Sequence, residues 1–260
     1  MLFYYLEHIG RATLDQTLLK GLLVLETLAR SAGARGVTDL AAETGLGKSN
    51  VHRVLKTLQS AGFVRQPPGG ARYQPTLKLW ELGARLHEGL DLTREARPHV
   101  AELARDTQET VHLSVLDGAE VVYVDKLDSP QPIRAYSELG GRAPAHCVAT
   151  GKVLLAFSAA FPDLPQALER YTTRTIVDRG ALLTALAEVR SKGYATNWGE
   201  WRERVRGLAA PIRDAHGAVV AAIGVSGPAE RFTRSRMSDM TGGVVRAADA
   251  ISAALGGPAA

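Results

Sequence analysis

The sequence predicts an α+β protein in two parts, and three observations carry that prediction. Apolar residues recur at helical spacing from Leu14 to Leu90, then switch at Val111 to an alternation of two, the period of a half-buried strand. Charge divides the chain in the same region: residues 1–89 hold 11 Lys and Arg against 7 Asp and Glu, whereas residues 90–260 hold 20 against 20. In the later part, strand-like segments alternate with helical runs, which favours a mostly antiparallel sheet with helices on its faces.

Composition narrows the class. The chain has 260 residues, 45% of them hydrophobic and 22% charged, which is ordinary for a globular protein with a sizeable core. The single cysteine, Cys147, excludes an internal disulfide framework and fits a reducing cytoplasm. No Cys/His spacing points to a metal, so neither a metal nor another cofactor is expected. No run approaches the roughly 18 apolar residues of a membrane span. Residues 1–12 open on an apolar stretch without the basic region or cleavage site of a signal peptide, and are expected to be a disordered tail or a start codon placed too early.

Taken in order, Leu14 to Ala29 is the first helix, with Leu18, Leu22, Leu25 and Leu28 as an apolar stripe. Thr38 can cap a second, two-turn helix in which Leu40 and Ala41 face inward, and Gly45 suits its left-handed closing residue. A third helix runs from about Lys48 to Ala61, with Val51, Val54, Leu55 and Leu58 on its buried face. Its opposite face presents Ser49, Asn50, Arg53 and Lys56. Two helices joined by a tight glycine turn, the second opening with exposed Lys48, Ser49 and Asn50, form the pattern of a helix-turn-helix whose second helix enters the major groove of duplex DNA. Asn and Arg can bind adenine and guanine through paired hydrogen bonds, so Asn50 and Arg53 are the candidate base readers.

The segment Phe63 to Gln74 reads as a wing: Phe63-Val64-Arg65 as one strand, Pro67-Pro68-Gly69-Gly70 as its loop, Ala71 to Gln74 as the return. Arg65 and Arg72 would lie beside phosphates, giving affinity rather than sequence choice. From Thr44 to Trp80 there are six basic residues and no acidic one, as expected of a surface held against a polyanion. Leu77 to Leu90 is a further helix, leading into the charge-balanced part. There a helix at Arg97 to Gln108 precedes a hairpin, Val111 to Val115 and Val121 to Asp125, turning at Asp117-Gly118. Strands are expected at Ile133 to Tyr136, Val205 to Arg213 and Val219 to Ser226. Helices are expected at Gly151 to Ser158, Leu182 to Lys192 and Ser235 to Ala254.

Chemistry concentrates in Gly141 to Ala156, "GRAPAHCVATGKVLLA". Thr150 can cap the following helix and leave its N–H groups aimed at a small anion. The segment is no P-loop, because His146 stands where that pattern needs Gly and Val153 where it needs Ser or Thr. His146 beside Cys147 invites a nucleophile reading, but neighbours in extended chain point apart, and a lone cysteine among Ala and Val is more often packing. Gly193 to Glu200 reads as a loop rich in glycine and aromatic residues. It is followed by Gly207 to Pro211 and Gly224 to Gly227, whose small residues leave room beside a sheet either for a cavity or for close-packed helices.

The stretch "TDLAAETGLGKSNVHRVLKTLQSAGFVR", followed by "YQPTLKLWELG", resembles the winged domain and exit helix of the IclR-type bacterial transcriptional regulators, a resemblance that extends over nearly all of the chain from about Thr17. It implies a winged helix-turn-helix at 14–76, a linker helix at 77–91 and a GAF-like α+β effector-binding domain at 92–260. It also implies a homodimer or dimer of dimers on double-stranded operator DNA. Matched onto this chain, the effector pocket would comprise Ala135, Ala143, Ala149, Thr150, Asn197, Val205, Gly207, Gly224 and Ser226 around a small organic or aromatic acid. Three departures stand out. Asn197 replaces the Asp of some relatives that bind small oxoacids, Gly207 and Gly224 replace a polar residue at the pocket mouth, and Arg204 stands where glycine is common. The first two imply a roomier, less acidic site, suited to something larger than glyoxylate, and the third an altered turn.

The expected function is therefore transcriptional regulation modulated by a small acid, without enzymatic activity. The alternative is a small-molecule enzyme carrying an accessory helix-turn-helix, with His146, Cys147 or Glu200 as catalysts. No metal set, and no base at an identifiable spacing from a nucleophile, supports it.

Overall fold

The computed structural model of the chain describes residues 15–88, 91–135, 137–158 and 163–257, with side chains throughout these except at 84–91. The expectations for residues 1–12, Leu14, Leu90 and Tyr136 fall outside them. Two compact units emerge, residues 1–89 and 90–260.

In the first unit, α1 (Gln16–Ala29), α2 (Val37–Thr44) and α3 (Lys48–Ser60) are followed by β1 (Val64–Arg65), β2 (Gln74–Pro75) and α4 (Lys78–Glu88). The core joins Val24, Leu28, Leu40, Val51, Leu55, Val64 and Tyr73, each no more than 2% exposed. The α1 stripe is rotated from the expected one. Val24 and Leu28 are buried, but Leu18 and Leu22 are 61% and 46% exposed. Leucines surround this helix, so spacing alone does not choose the buried face. Gly36, not Thr38, occupies the N-cap of α2, and Asp39 reaches back to the Gly36 N–H at 3.3 Å. Gly45 closes α2 with φ 69°, the left-handed conformation expected of it. The wing gains a third strand-like contact, because Arg35 and Tyr73 exchange backbone hydrogen bonds of 2.8 Å.

The second unit begins with α5 (Asp91–Thr107), followed by β3 (Thr110–Asp117), β4 (Glu120–Leu127) and β5 (Arg142–Pro144). A 3₁₀ turn (Ala145–Cys147), α6 (Ala149–Phe157) and α7 (Arg179–Lys192) come next, then β6 (Ala195–Trp198), β7 (Val205–Arg213), β8 (Val219–Pro228) and α8 (Arg234–Ala254). One six-stranded sheet has the order β5-β4-β3-β8-β7-β6, every neighbouring pair antiparallel. Its alternation divides two cores. Leu208, Ala210 and Ile212 of β7, with Ala221, Ile223 and Val225 of β8, pack against α5 and α8. Ala209 and Ala222 face the other way, among residues of α6 and α7.

Three local expectations change. Residues 133–135 form no strand, and Ile133 is 71% exposed. A β-branched residue favours a strand only where a partner covers it. Conversely, Ala195–Trp198, expected as loop, is the edge strand β6, because β7 offers it a free ladder. At α6 the N-cap is Val148, and Thr150 lies inside the first turn.

Candidate functional site

On α3 the apolar residues Val51, Val54 and Leu55 point into the core, which turns Lys48, Ser49, Arg53 and Lys56 outward. Asn50 is half-buried at the edge of that face, its Oδ1 accepting from Arg53 Nη2 at 3.3 Å. Gly47 is the N-cap and supplies no side-chain acceptor, so the first-turn N–H groups of α3 stand beside these residues. Arg65, on β1 opposite Gln74, and Arg72 are both exposed. Lys78, one of the six cations of the acid-free stretch, has a structural task. Its Nζ donates to Ala61 O at the end of α3 at 2.7 Å and sits 4.6 Å from the Phe63 ring centroid.

The second unit contains a cavity of about 40 Å3 between the α6 face of the sheet, the N-terminus of α6 and the segments at Ala135 to Ser137 and Trp201 to Val205. Register explains its place. Asn197 pairs with Gly207, and Gly207 with Ser226, so these three form one row across β6, β7 and β8. His112 pairs with Gly224 in a neighbouring row. Ala135, Ala149, Asn197, Val205, Gly207 and Ser226 line the cavity. Ala143, Thr150 and Gly224 are buried but are not on its wall. At Gly224 a Cβ would meet Thr150 Cγ2 at 2.7 Å and His112 Nε2 at 3.2 Å, so the missing side chain is replaced by neighbours rather than by open space.

Sequence reasoning missed His112, Tyr123, Ser137 and Arg202 on the same wall. A signal was present for the first: His112 and Ser114 interrupt the apolar Val111, Leu113 and Val115 at alternate positions, which places polar groups on one face of a buried strand. Burial, assisted by the Lys126 charge, holds the His112 imidazole neutral with a pKa lowered to about 4. Burial also pushes the Tyr123 phenol up to about 12, against the opposing pull of Arg202, so this hydroxyl keeps its proton. The two rings meet edge to face at 5.0 Å.

Asn197 Oδ1 accepts from Gly199 N and Glu200 N, both at 2.9 Å, which leaves its amide NH2 as the group free to donate. Glu200 in turn receives Lys152 Nζ at 2.7 and 2.8 Å in a buried pair that ties this turn to α6. The residues named for a nucleophilic alternative are occupied or inert. Glu200 is paired, His146 Nε2 lies 3.1 Å from Glu169 O, and burial raises the Cys147 thiol to about 12.

Comparison with known proteins agrees on both units. A family profile described as the IclR helix-turn-helix domain matches residues 17–68, and one described as the bacterial transcriptional regulator IclR C-terminal domain matches residues 84–253. The chain is 40% identical to the HTH-type transcriptional regulator KdgR of Escherichia coli over 226 residues, covering 85% of this chain and 86% of that protein. It is 35% identical to the regulator XynR of the same organism over 249 residues, covering 94% and 98%. Among solved structures, the Thermotoga maritima IclR superposes with a TM-score of 0.78 at 30% identity, over 92% of this chain and 98% of that one. An IclR homologue from Microbacterium hydrocarbonoxydans, solved with 4-hydroxybenzoate, also gives 0.78, at 27% identity over 92% and 99%. Among the described residues no helix is long and apolar enough to cross a membrane. With a helix-turn-helix in one unit, a six-stranded α+β fold in the other and profile matches across both, the chain belongs to the IclR family of bacterial transcriptional regulators.

Proposed function

We propose that the protein binds operator DNA through α3 and the wing, and that a small organic or aromatic acid in the second unit's cavity modulates this binding. The observation that carries the reading is the cavity itself: the small residues Gly207 and Ser226 of two adjacent strands leave space beside the N-terminus of α6, where no side chain caps the helix. First-turn N–H groups and Arg202 suit a carboxylate. The homologue solved with 4-hydroxybenzoate supports an acid as the ligand class.

On DNA, Asn50 and Arg53 read base edges, Lys48, Ser49 and Lys56 flank them, and Arg65 and Arg72 hold phosphates. Exposed leucines on α1 and the exposed Leu77, Trp80 and Leu82 near α4 favour assembly into a homodimer or dimer of dimers, which presents paired α3 helices to a pseudopalindrome. The working division is 14–76 for DNA, 77–91 as linker and 92–260 for the effector, in a cytoplasmic protein without catalytic activity. Ligand acts only through its differential affinity for two arrangements of the assembly.

Ser226→Leu tests the cavity. Filling it should abolish the thermal stabilisation by a panel of carboxylic and aromatic acids while operator binding persists. For the unaltered protein, a ligand held at 100 times its Kd should add about 2.7 kcal/mol. A Ser226→Leu protein that responds like the parent would place the ligand elsewhere.

A further inference from the structure

The core-facing residues of α3, the buried Val51, Val54 and Leu55 with the partly buried Leu58, recur at i, i+3, i+4 and i+7. The same spacing begun at Ser49 selects Ser49, His52, Arg53 and Lys56, and all four are exposed. His52 therefore stands inside the outward stripe, whereas Asn50 is half-buried at its edge. Hydrogen bonds within the helix sort this face further. Arg53 Nη2 donates to Asn50 Oδ1 at 3.3 Å, and the hydroxyls of Thr57 and Ser60 turn back onto the carbonyls of Arg53 and Lys56 at 3.1 and 3.0 Å. Among the described residues the His52 imidazole has no hydrogen bond, ion pair or ring contact. Neither packing nor helix propensity accounts for an imidazole at this position, since the ring covers no core residue and histidine is a poorer helix former than alanine, lysine or arginine.

Its neighbours along the helix supply a setting. Lys48 and Lys56 lie one turn before and one turn after His52, both exposed. They are separated by about 12 Å along the axis at ~1.5 Å per residue, close to the roughly 12 Å width of the major groove. A helix whose two lysines reach phosphates on either side brings its midpoint over the base edges. His52 is that midpoint, and it lies in the N-terminal half of the helix, the half that meets base edges in helix-turn-helix proteins. Every protonation state of imidazole keeps at least one N–H donor. Guanine presents two acceptors, N7 and O6, and no donor in the major groove, and the lysines beside His52 favour such an acceptor-only edge.

We propose, resting on the reading of α3 as the DNA-contacting helix, that His52 is a specificity-determining residue whose ring N–H donates to guanine N7 or O6 beside the base pair met by Arg53. Ser49 and the lysines then hold the backbone around it, and His52 contributes choice of sequence rather than general affinity.

Selection from a random-sequence duplex library by the full chain, repeated with His52→Ala and His52→Gln, tests this. The parent should enrich a guanine at one position that His52→Ala leaves degenerate. On the parent's best duplex, His52→Ala should lose about 5- to 150-fold in affinity, the scale of one mismatched base pair, with an unchanged salt slope and unchanged binding to unrelated duplex. His52→Gln should move the preference at that same position from guanine toward adenine, because glutamine pairs with adenine N6 and N7. A His52→Ala loss equal on all duplexes, with a shallower salt slope, would make His52 a phosphate contact and overturn the proposal. Identical enriched sequences from all three proteins would overturn it as well, while leaving α3 as the DNA-contacting helix. Enrichment of no duplex by the parent would overturn the DNA reading and this inference together.

Discussion

At the scale of single residues, the two kinds of DNA contact proposed above are separable by experiment. Arg53 is exposed on the face opposite the buried Val51, Val54 and Leu55, with Asn50 beside it, whereas Arg72 sits on the wing. Arg53→Ala should relax base preference at one operator position, and a loss equal on all sequences would remove it from the base readers. Arg72→Ala should flatten the salt dependence of binding by about one unit of slope with preference unchanged; a salt titration of operator affinity reads this. His112 makes a second residue-scale prediction. Its pKa falls from the ordinary 6.5 to about 4 on folding, so between these values the unfolded chain holds a proton that the native chain does not. Its contribution to stability is complete above about pH 6.5 and lost as pH falls toward 4, up to about 3 kcal/mol. Urea midpoints at pH 7 and 5 should therefore lie closer together in His112→Phe than in the parent.

Among elements, α6 is the one on which the second unit's site depends. It follows the 3₁₀ turn so tightly that a Cβ on Gly151 would overlap the backbone of Ala145, including its carbonyl. Backbone cannot yield as a flexible side chain can, so Gly151→Ala should destabilise the second unit by about 1–3 kcal/mol despite alanine's better helix propensity. Thermal unfolding measures this, and an unchanged midpoint would mean that the turn shifts freely. The helices expected from spacing appear at α3, α4, α7 and α8 within a few residues. Short edge strands were not legible. Arg142–Pro144 and Ala195–Trp198 have no pattern of their own and exist because β4 and β7 offer unpaired backbone. The rotated face of α1 has the same origin, since its core contacts come from α2 and α3 rather than from its own periodicity.

Across the whole molecule, regulation requires that ligand and operator bind at distinct sites and report on each other. Linkage makes this reciprocal: if a ligand changes operator affinity by a factor, operator changes ligand affinity by the same factor, about 5- to 150-fold for a coupling of roughly 1–3 kcal/mol. Calorimetry of the acid with and without operator, compared with operator titrations with and without the acid, should return equal factors; unequal ones would point to a third equilibrium such as assembly. By itself the sequence determined the division into a basic helical part and a charge-balanced α+β part, the helix-turn-helix with Arg53 on its outer face and Asn50 at that face's edge, and the family. Those properties reside in local periodicity, capping glycines and the order of short motifs, all of which neighbouring residues express without help from distant ones. Only the tertiary structure brought His112, Tyr123, Ser137 and Arg202 together with Asn197, Gly207 and Ser226. It also filled the space at Gly224 with Thr150 and His112, and tied Glu200 to Lys152. The physical reason is register: which residues share a wall is set by how strands far apart in the chain pair and how closely α6 approaches them, and neither is written in any single stretch of sequence.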